Sequence, residues 1–217
     1  MQSRSLLRFS AKQKSKGKHL QNCISSLLTT DRLFCRFNRG RSTTTGKIDE
    51  SKLSLKEIPP GGLCLSVFLL VQDGSGKVLL GKIDPNAPWD HIGALDRERI
   101  EIHRKGWMLP SSHLIVHESP QDACKRIEME QLELSDLVIS DPKVVSEVYP
   151  PKQIPDLDEH WDIEFIFSAT FEADKLPSRT KAFSELRLID PKVVRRSEIA
   201  RSHEDILTSV GIPLLLS

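Results

Sequence analysis

Glu118 stands directly before a segment, 119–134, that carries Asp122, Glu128, Glu130 and Glu133 together with Arg126. Carboxylates spaced three or four residues apart lie on one side of a helix and can converge on a divalent cation. Glu128 and Glu130, two residues apart, sit about 200° apart around such a helix and cannot act together. Arg126 is spaced to pair locally with Asp122 or Glu130, at i−4 and i+4. His113 and His117 offer imidazoles, but on an extended segment their Cα atoms would be roughly 13 Å apart, too far to share an ion. Trp89 and Tyr149 are aromatics able to stack on a base, although burial is the commoner role of such rings.

The elements that must position these groups can be read around them. Ser119-Pro120-Gln121-Asp122 is a helix start, with Ser119 as N-cap, Pro120 at N1 and Asp122 as the acidic half of a capping box. The helix is expected to run to about Leu134, with Ala123, Ile127 and Leu134 near one apolar face. Upstream, Leu63–Val71 and Lys77–Gly81 flank the turn Asp73-Gly74-Ser75-Gly76, which predicts a hairpin. Residues 84–106 read as an insertion. Its second half suits a solvated helix with charge pairs Arg97–Glu101 and Glu101–Lys105, stopped by Gly106; Arg97, Arg99, Arg104 and Lys105 there could contact phosphates. Trp107–Leu109 is a short strand ending at Pro110. Strands follow at Val144–Tyr149, Trp161–Phe171 and Ser184–Ile189, and a last helix near His203–Val210 stops at Gly211. Strands around one internal helix, with a second at the end, make an α+β domain or an α/β sandwich rather than a parallel doubly wound sheet.

Charge divides the chain in two. It has 31 Lys and Arg against 30 Asp and Glu, a net +1. Residues 1–47 hold eleven basic residues and one acid, Asp31, a net +10; residues 48–217 hold 20 and 29, a net −9. The basic leader, with Arg4 and Arg8 opposite Leu6 and Phe9, has the pattern of an organellar transit peptide. A disordered arm binding RNA through phosphate neutralisation, or an over-long start, fits the same residues. The expected location is intracellular: the mitochondrial matrix for a eukaryotic protein with a transit peptide, otherwise the cytoplasm. Cys23, Cys35, Cys64 and Cys124 form no CxxC pair and read as free thiols. The longest apolar run, Leu63–Val71, has nine residues, against the about 20 that a spanning helix needs.

From Trp107-Met108-Leu109-Pro110 through Leu134 the chain resembles the Nudix family, whose signature is G-x5-E-x7-R-E-U-x-E-E-x-G-U with U aliphatic, often after W-x-L-P-G. Aligned on Glu118 and Arg126, the signature's first glycine is Ser112. Its metal-binding and basic glutamate is Ile127, its next aliphatic Glu128, its paired metal glutamates Glu130 and Gln131, its late glycine Glu133 and its last aliphatic Leu134. Four of nine fixed positions match. The resemblance spans roughly 60–211 by element order and implies an α/β/α sandwich with a Nudix-like mixed β-sheet and hydrolysis of a nucleoside diphosphate linked to another moiety, with Mg²⁺ or Mn²⁺. The site residues it implies are Glu118, Arg126 and Glu130, with Glu130 and Glu118 as metal ligands. Positions 127, 130 and 131 share a helix face, and in this chain they offer one carboxylate, so reduced hydrolysis is expected. Replacement carboxylates would have to come from Glu98, Glu101, Glu147, Asp158 or Glu159. The alternative is a non-catalytic Nudix-fold module that binds nucleotide or RNA, or a structural subunit such as the Nudix-like domain of the mitochondrial ribosome.

Overall fold

The computed structural model describes residues 58–151, 158–171 and 176–215; the leader expected over 1–47 lies outside them. Six strands form one mixed sheet: β1 (Leu63–Gln72), β2 (Val78–Ile83), β3 (Ser111–His113), β4 (Lys143–Tyr149), β5 (His160–Thr170) and β6 (Phe183–Ile189). The order is β4-β5-β1-β2-β6, with β3 paired to β1. The long β1 and β5 run parallel and in register from Leu63↔Trp161 to Gln72↔Thr170. The helices are α1 (Trp89–Ile92), α2 (Arg97–His103), α3 (Pro120–Gln131) and α4 (His203–Ser209). No helix among the described residues is long and apolar enough to cross a membrane.

Apolar residues on both faces of β1 explain why the sheet is covered twice. Val67, Leu69 and Val71 join Ala123 and Ile127 of α3 in one core. Phe68 and Leu70, alternate in the strand, join Ile206 and Leu207 of α4 in the other. The layers are helix, mixed sheet, helix, as the resemblance implies.

Several expectations shift. The strand expected at 107–109 lies instead at 111–113, past Pro110. Trp107 and Met108 make only single bridges, to Ile199 and Gly81, and the ladder with β1 begins at Ser111↔Phe68. The box helix ends at Gln131 rather than Leu134 because Glu133 turns left-handed at φ 55°. The insertion is not merely solvated. Ile100 joins the core and Trp89 is fully buried edge-on to Phe183, with its indole N–H donating to Asp84 O at 3.0 Å. Gly93 permits this, since a Cβ there would lie 2.4 Å from the Trp89 ring. Glu101 pairs with Arg104 at 2.9 Å, three residues on, rather than with Arg97 or Lys105 at the expected spacing of four.

Candidate functional site

The loop and helix spanning Ser111 to Gln131 are held by a capping box in which Ser119 Oγ accepts from Asp122 N at 3.1 Å and Asp122 Oδ2 accepts from Ser119. That cap fixes the helix start and thereby the direction of Arg126. Its guanidinium does not pair with Asp122 or Glu130. It reaches back to Glu118, with Nε to Oε1 at 2.7 Å and Nη2 to Oε2 at 2.9 Å, while Nη1 donates to Ser112 Oγ and Nη2 to His113 O. Glu118 Oε2 also accepts from Ile115 N at 3.0 Å. The two side chains are only 13% and 12% exposed, so this bidentate pair is a clamp on the loop rather than a surface contact. Burial pushes the Glu118 carboxyl up, but the Arg126 and Ile115 hydrogen bonds outweigh it and hold the pKa below the usual value. Two of the expected site residues are thus brought together, as partners of each other.

The third, Glu130, is exposed and makes no hydrogen bond or ion pair with a described residue. The two helix positions that share its face lead elsewhere. Ile127 is 0% exposed in the core. Gln131 is also 0% exposed, and its amide is fully committed. Oε1 accepts from Ser111 N at 3.0 Å, while Nε2 donates to Ser111 O at 2.8 Å and to Ile92 O at 2.7 Å. One side chain therefore ties α3 to β3 and to the end of α1. Glu128, at the aliphatic position, is 0% exposed too. It accepts from Leu137 N at 2.6 Å and from Lys125 Nζ at 2.7 Å, closing the turn after the helix.

A divalent metal, which the resemblance implies, does not fit this donor set. One position is an aliphatic core residue, and another presents N–H donors locked onto two carbonyls where a cation would need acceptors. Among the described residues no group of three or more His, Cys, Asp or Glu gathers to hold a metal ion. Of the replacement carboxylates, Glu101 is engaged by Arg104 and Glu147 lies exposed on the edge strand β4.

Polar residues the sequence reading passed over lie on the opposite, α4 face of the sheet. His160, Asp162 and Glu164 alternate along β5, a period-two polar signal inside an apolar strand. Tyr149 donates to Glu164 Oε1 at 3.0 Å and stacks on His160 at 5.5 Å. Glu164 is 2% exposed, and its other oxygen has no partner among the described residues. Burial lifts its pKa to about 7, against the lowering effect of Tyr149, with Asp162, Glu147 and Asp205 adding to the rise. Nearby, Arg201 Nη1 donates to Ser111 Oγ at 3.3 Å. Burial and then the charge of Arg99 bring the Arg201 guanidinium down to about 10, opposed by Asp162 and Cys64.

No family model matches this chain, and no curated protein matches it. Among solved structures, the chain is similar to the MutT protein from Methanosarcina mazei Go1, at 20% identity over 73% of this chain and 86% of that one, with a TM-score of 0.42. It is similar to the E. coli dihydroneopterin triphosphate pyrophosphohydrolase, at 11% identity over 58% and 80%, TM-score 0.41. It is also similar to the NUDIX domain of Shewanella oneidensis NrtR complexed with ADP ribose, at 15% identity over 71% and 80%, TM-score 0.41.

Proposed function

We propose that this chain is a Nudix-type module that binds a nucleoside diphosphate derivative and has lost most or all of its hydrolytic power. The observation that carries the reading is the Gln131 amide, which spends all three of its hydrogen bonds on backbone groups where a metal-binding glutamate would stand. With Ile127 in the core, no carboxylate occupies the position of the family's base. Loss of a positioned base alone lowers a rate by about 10²–10⁴. Glu118 and Arg126 support the fold reading, since they sit at the family's spacing and form one clamp. Their role is to hold the loop that carries Ser111–His113, and Glu130 is a solvent-facing helix acid.

The test is a hydrolysis panel of nucleoside diphosphate derivatives, ADP-ribose among them, with Mg²⁺ or Mn²⁺, on wild type and Glu130→Gln. The expected result is equal, near-background turnover in both, with nucleotide binding retained. Robust metal-dependent turnover that Glu130→Gln abolishes would overturn the proposal.

A further inference from the structure

We propose that β4 is a dimer-forming edge: a second copy of this chain sets its own β4 against it, antiparallel about a twofold axis at Ser146, and continues the six-stranded sheet across the interface. This interface stands independently of the nucleotide reading above.

The strand order leaves β4 at one end of the sheet and β6 at the other, and the two ends are finished differently. Along β6 the outer side is covered by the segment before it, since Leu186 N donates to Ser178 O at 2.8 Å and Thr180 N to Phe183 O at 2.9 Å. Along β4, among the described residues, the backbone of 144–148 pairs with β5 alone. Alternate residues there turn N–H and C=O outward, ready to pair with another strand. The usual guards of an edge are missing. The register with β5 is unbroken from Lys143↔Ile166 to Tyr149↔His160, and neither Pro nor Gly interrupts Lys143–Tyr149.

The side chains of β4 are divided in the same way. Val145 packs against the α4-side core, so Val144, Ser146 and Val148, alternate with it, lie on the α3 side of the sheet. On that side α3 packs over β1 and β3, and Val144 and Val148 are left 55% and 57% exposed. Ser146 between them is exposed as well, its Oγ accepting from Trp161 Nε1 at 2.8 Å. An open ladder and two exposed β-branched residues thus share one strand.

That strand is complementary to itself. Residues that face one another across a twofold axis share a side of the sheet, so the axis passes through a residue rather than between two. With the axis at Ser146, all seven residues of β4 find a partner. Val144 faces Val148 of the second copy, and the reverse, so the exposed valines cover each other. On the other side Lys143 lies diagonal to Glu147 of the second copy, an opposite-charge pair that the symmetry repeats. An axis at Glu147 would oppose two carboxylates, and one at Val145 would set Pro142, which lacks an N–H, against Val148. Long-range repulsion between copies is small, because the full chain carries a net +1.

The experiment is sedimentation velocity of the full chain from about 1 to about 200 µM. A dissociation constant on the order of 10 µM is expected, because one strand pair falls among the small interfaces of under about 1,200 Å². Val144→Lys and Val148→Glu should each weaken the dimer by about tenfold or more, since each sets a charge against a valine of the second copy. Mixing the two variants should return the affinity to within about threefold of wild type, because Lys at 144 then faces Glu at 148 and the second valine pair is intact. Ser146→Cys, made with Cys23→Ser and Cys35→Ser, should form a disulfide-linked dimer on mild oxidation, and it carries the test if a valine variant loses the native melting transition. A chain that stays monomeric at about 200 µM overturns the interface, even if the edge captures an extended segment of another protein. So does a dimer that neither valine variant weakens, or a mixture no tighter than either variant alone.

Discussion

Gln131→Glu would place a carboxylate where the resembled signature has a metal glutamate, and the structure predicts that it damages the fold. The wild-type Nε2 donates at 2.7 Å to Ile92 O and at 2.8 Å to Ser111 O, in a residue with 0% exposure. An ionised carboxylate would set an anionic oxygen against two carbonyl oxygens, losing two hydrogen bonds of about 1 kcal/mol each and burying an unpaired charge. Removing one partner of a buried pair costs about 3–5 kcal/mol for that reason, so about 4 kcal/mol is expected at pH 8. A protonated carboxyl can still donate to one of the two carbonyls, which limits the loss to about 1 kcal/mol at low pH. Burial raises the pKa of the new carboxyl in the folded state. Stability is therefore greatest below the unfolded value near 4.3 and declines as pH rises through the folded one. Urea unfolding of wild type and variant at pH 5 and pH 8 measures both quantities. Equal stability at pH 8, or an Mg²⁺-induced rise in Tm accompanied by hydrolysis, would refute the reasoning by showing that the position accepts a charge and a metal.

Ile127→Glu should be worse, because the side chain is fully buried in the α3-side core and no partner is available for the charge. A loss of more than about 3 kcal/mol, read as failure to show a cooperative melting transition, is expected, and a Tm within a few degrees of wild type would contradict it. Glu118→Gln leaves Arg126 without its bidentate partner in a largely buried site and should cost about 2 kcal/mol near pH 7. Since the Glu118 pKa is lowered by folding, that contribution is present above the unfolded pKa and fades as pH falls through the folded one, so wild type and variant should converge in acid-unfolding curves. Glu164 behaves oppositely. With its pKa raised to about 7, its contribution is full below the unfolded value and is lost as pH rises through 7. Glu164→Gln should therefore gain on wild type between pH 5 and pH 8 by on the order of 3 kcal/mol, and a difference that does not change with pH would count against a buried, uncompensated carboxylate.

The sequence made the layers legible because their signals are local and redundant. The apolar run Leu63–Val71 and the alternating apolar residues of Trp161–Phe171 become the paired central strands, and Ser119-Pro120-Gln121-Asp122 becomes the capped helix start. The box helix's end was less legible, since no glycine marks it and Glu133 takes the left-handed turn itself. The site was legible only as a pattern of types. That Glu118 would find Arg126 depends on the 111–118 loop folding back across a full turn of α3, which no helical spacing encodes. Gln131 looked like a lost ligand. Its actual role needs Ser111 and Ile92, one of them 39 residues away.

The departures from the family pattern are coupled rather than scattered. Ile127, Glu128, Gln131 and Glu133 each stand where the signature asks for another residue, and each now serves the packing around α3. Ile127 fills core, Glu128 holds Leu137 N, Gln131 holds Ser111 and Ile92, and Glu133 accepts from Lys181 N at 3.0 Å. Of the positions that would face a metal, Ile127 packs in the core and Gln131 holds backbone groups, so replacing either by glutamate breaks contacts before it supplies a ligand. The 29 acids after residue 47 do not alter this, because a carboxylate serves a cation only where its oxygens are free and aimed together.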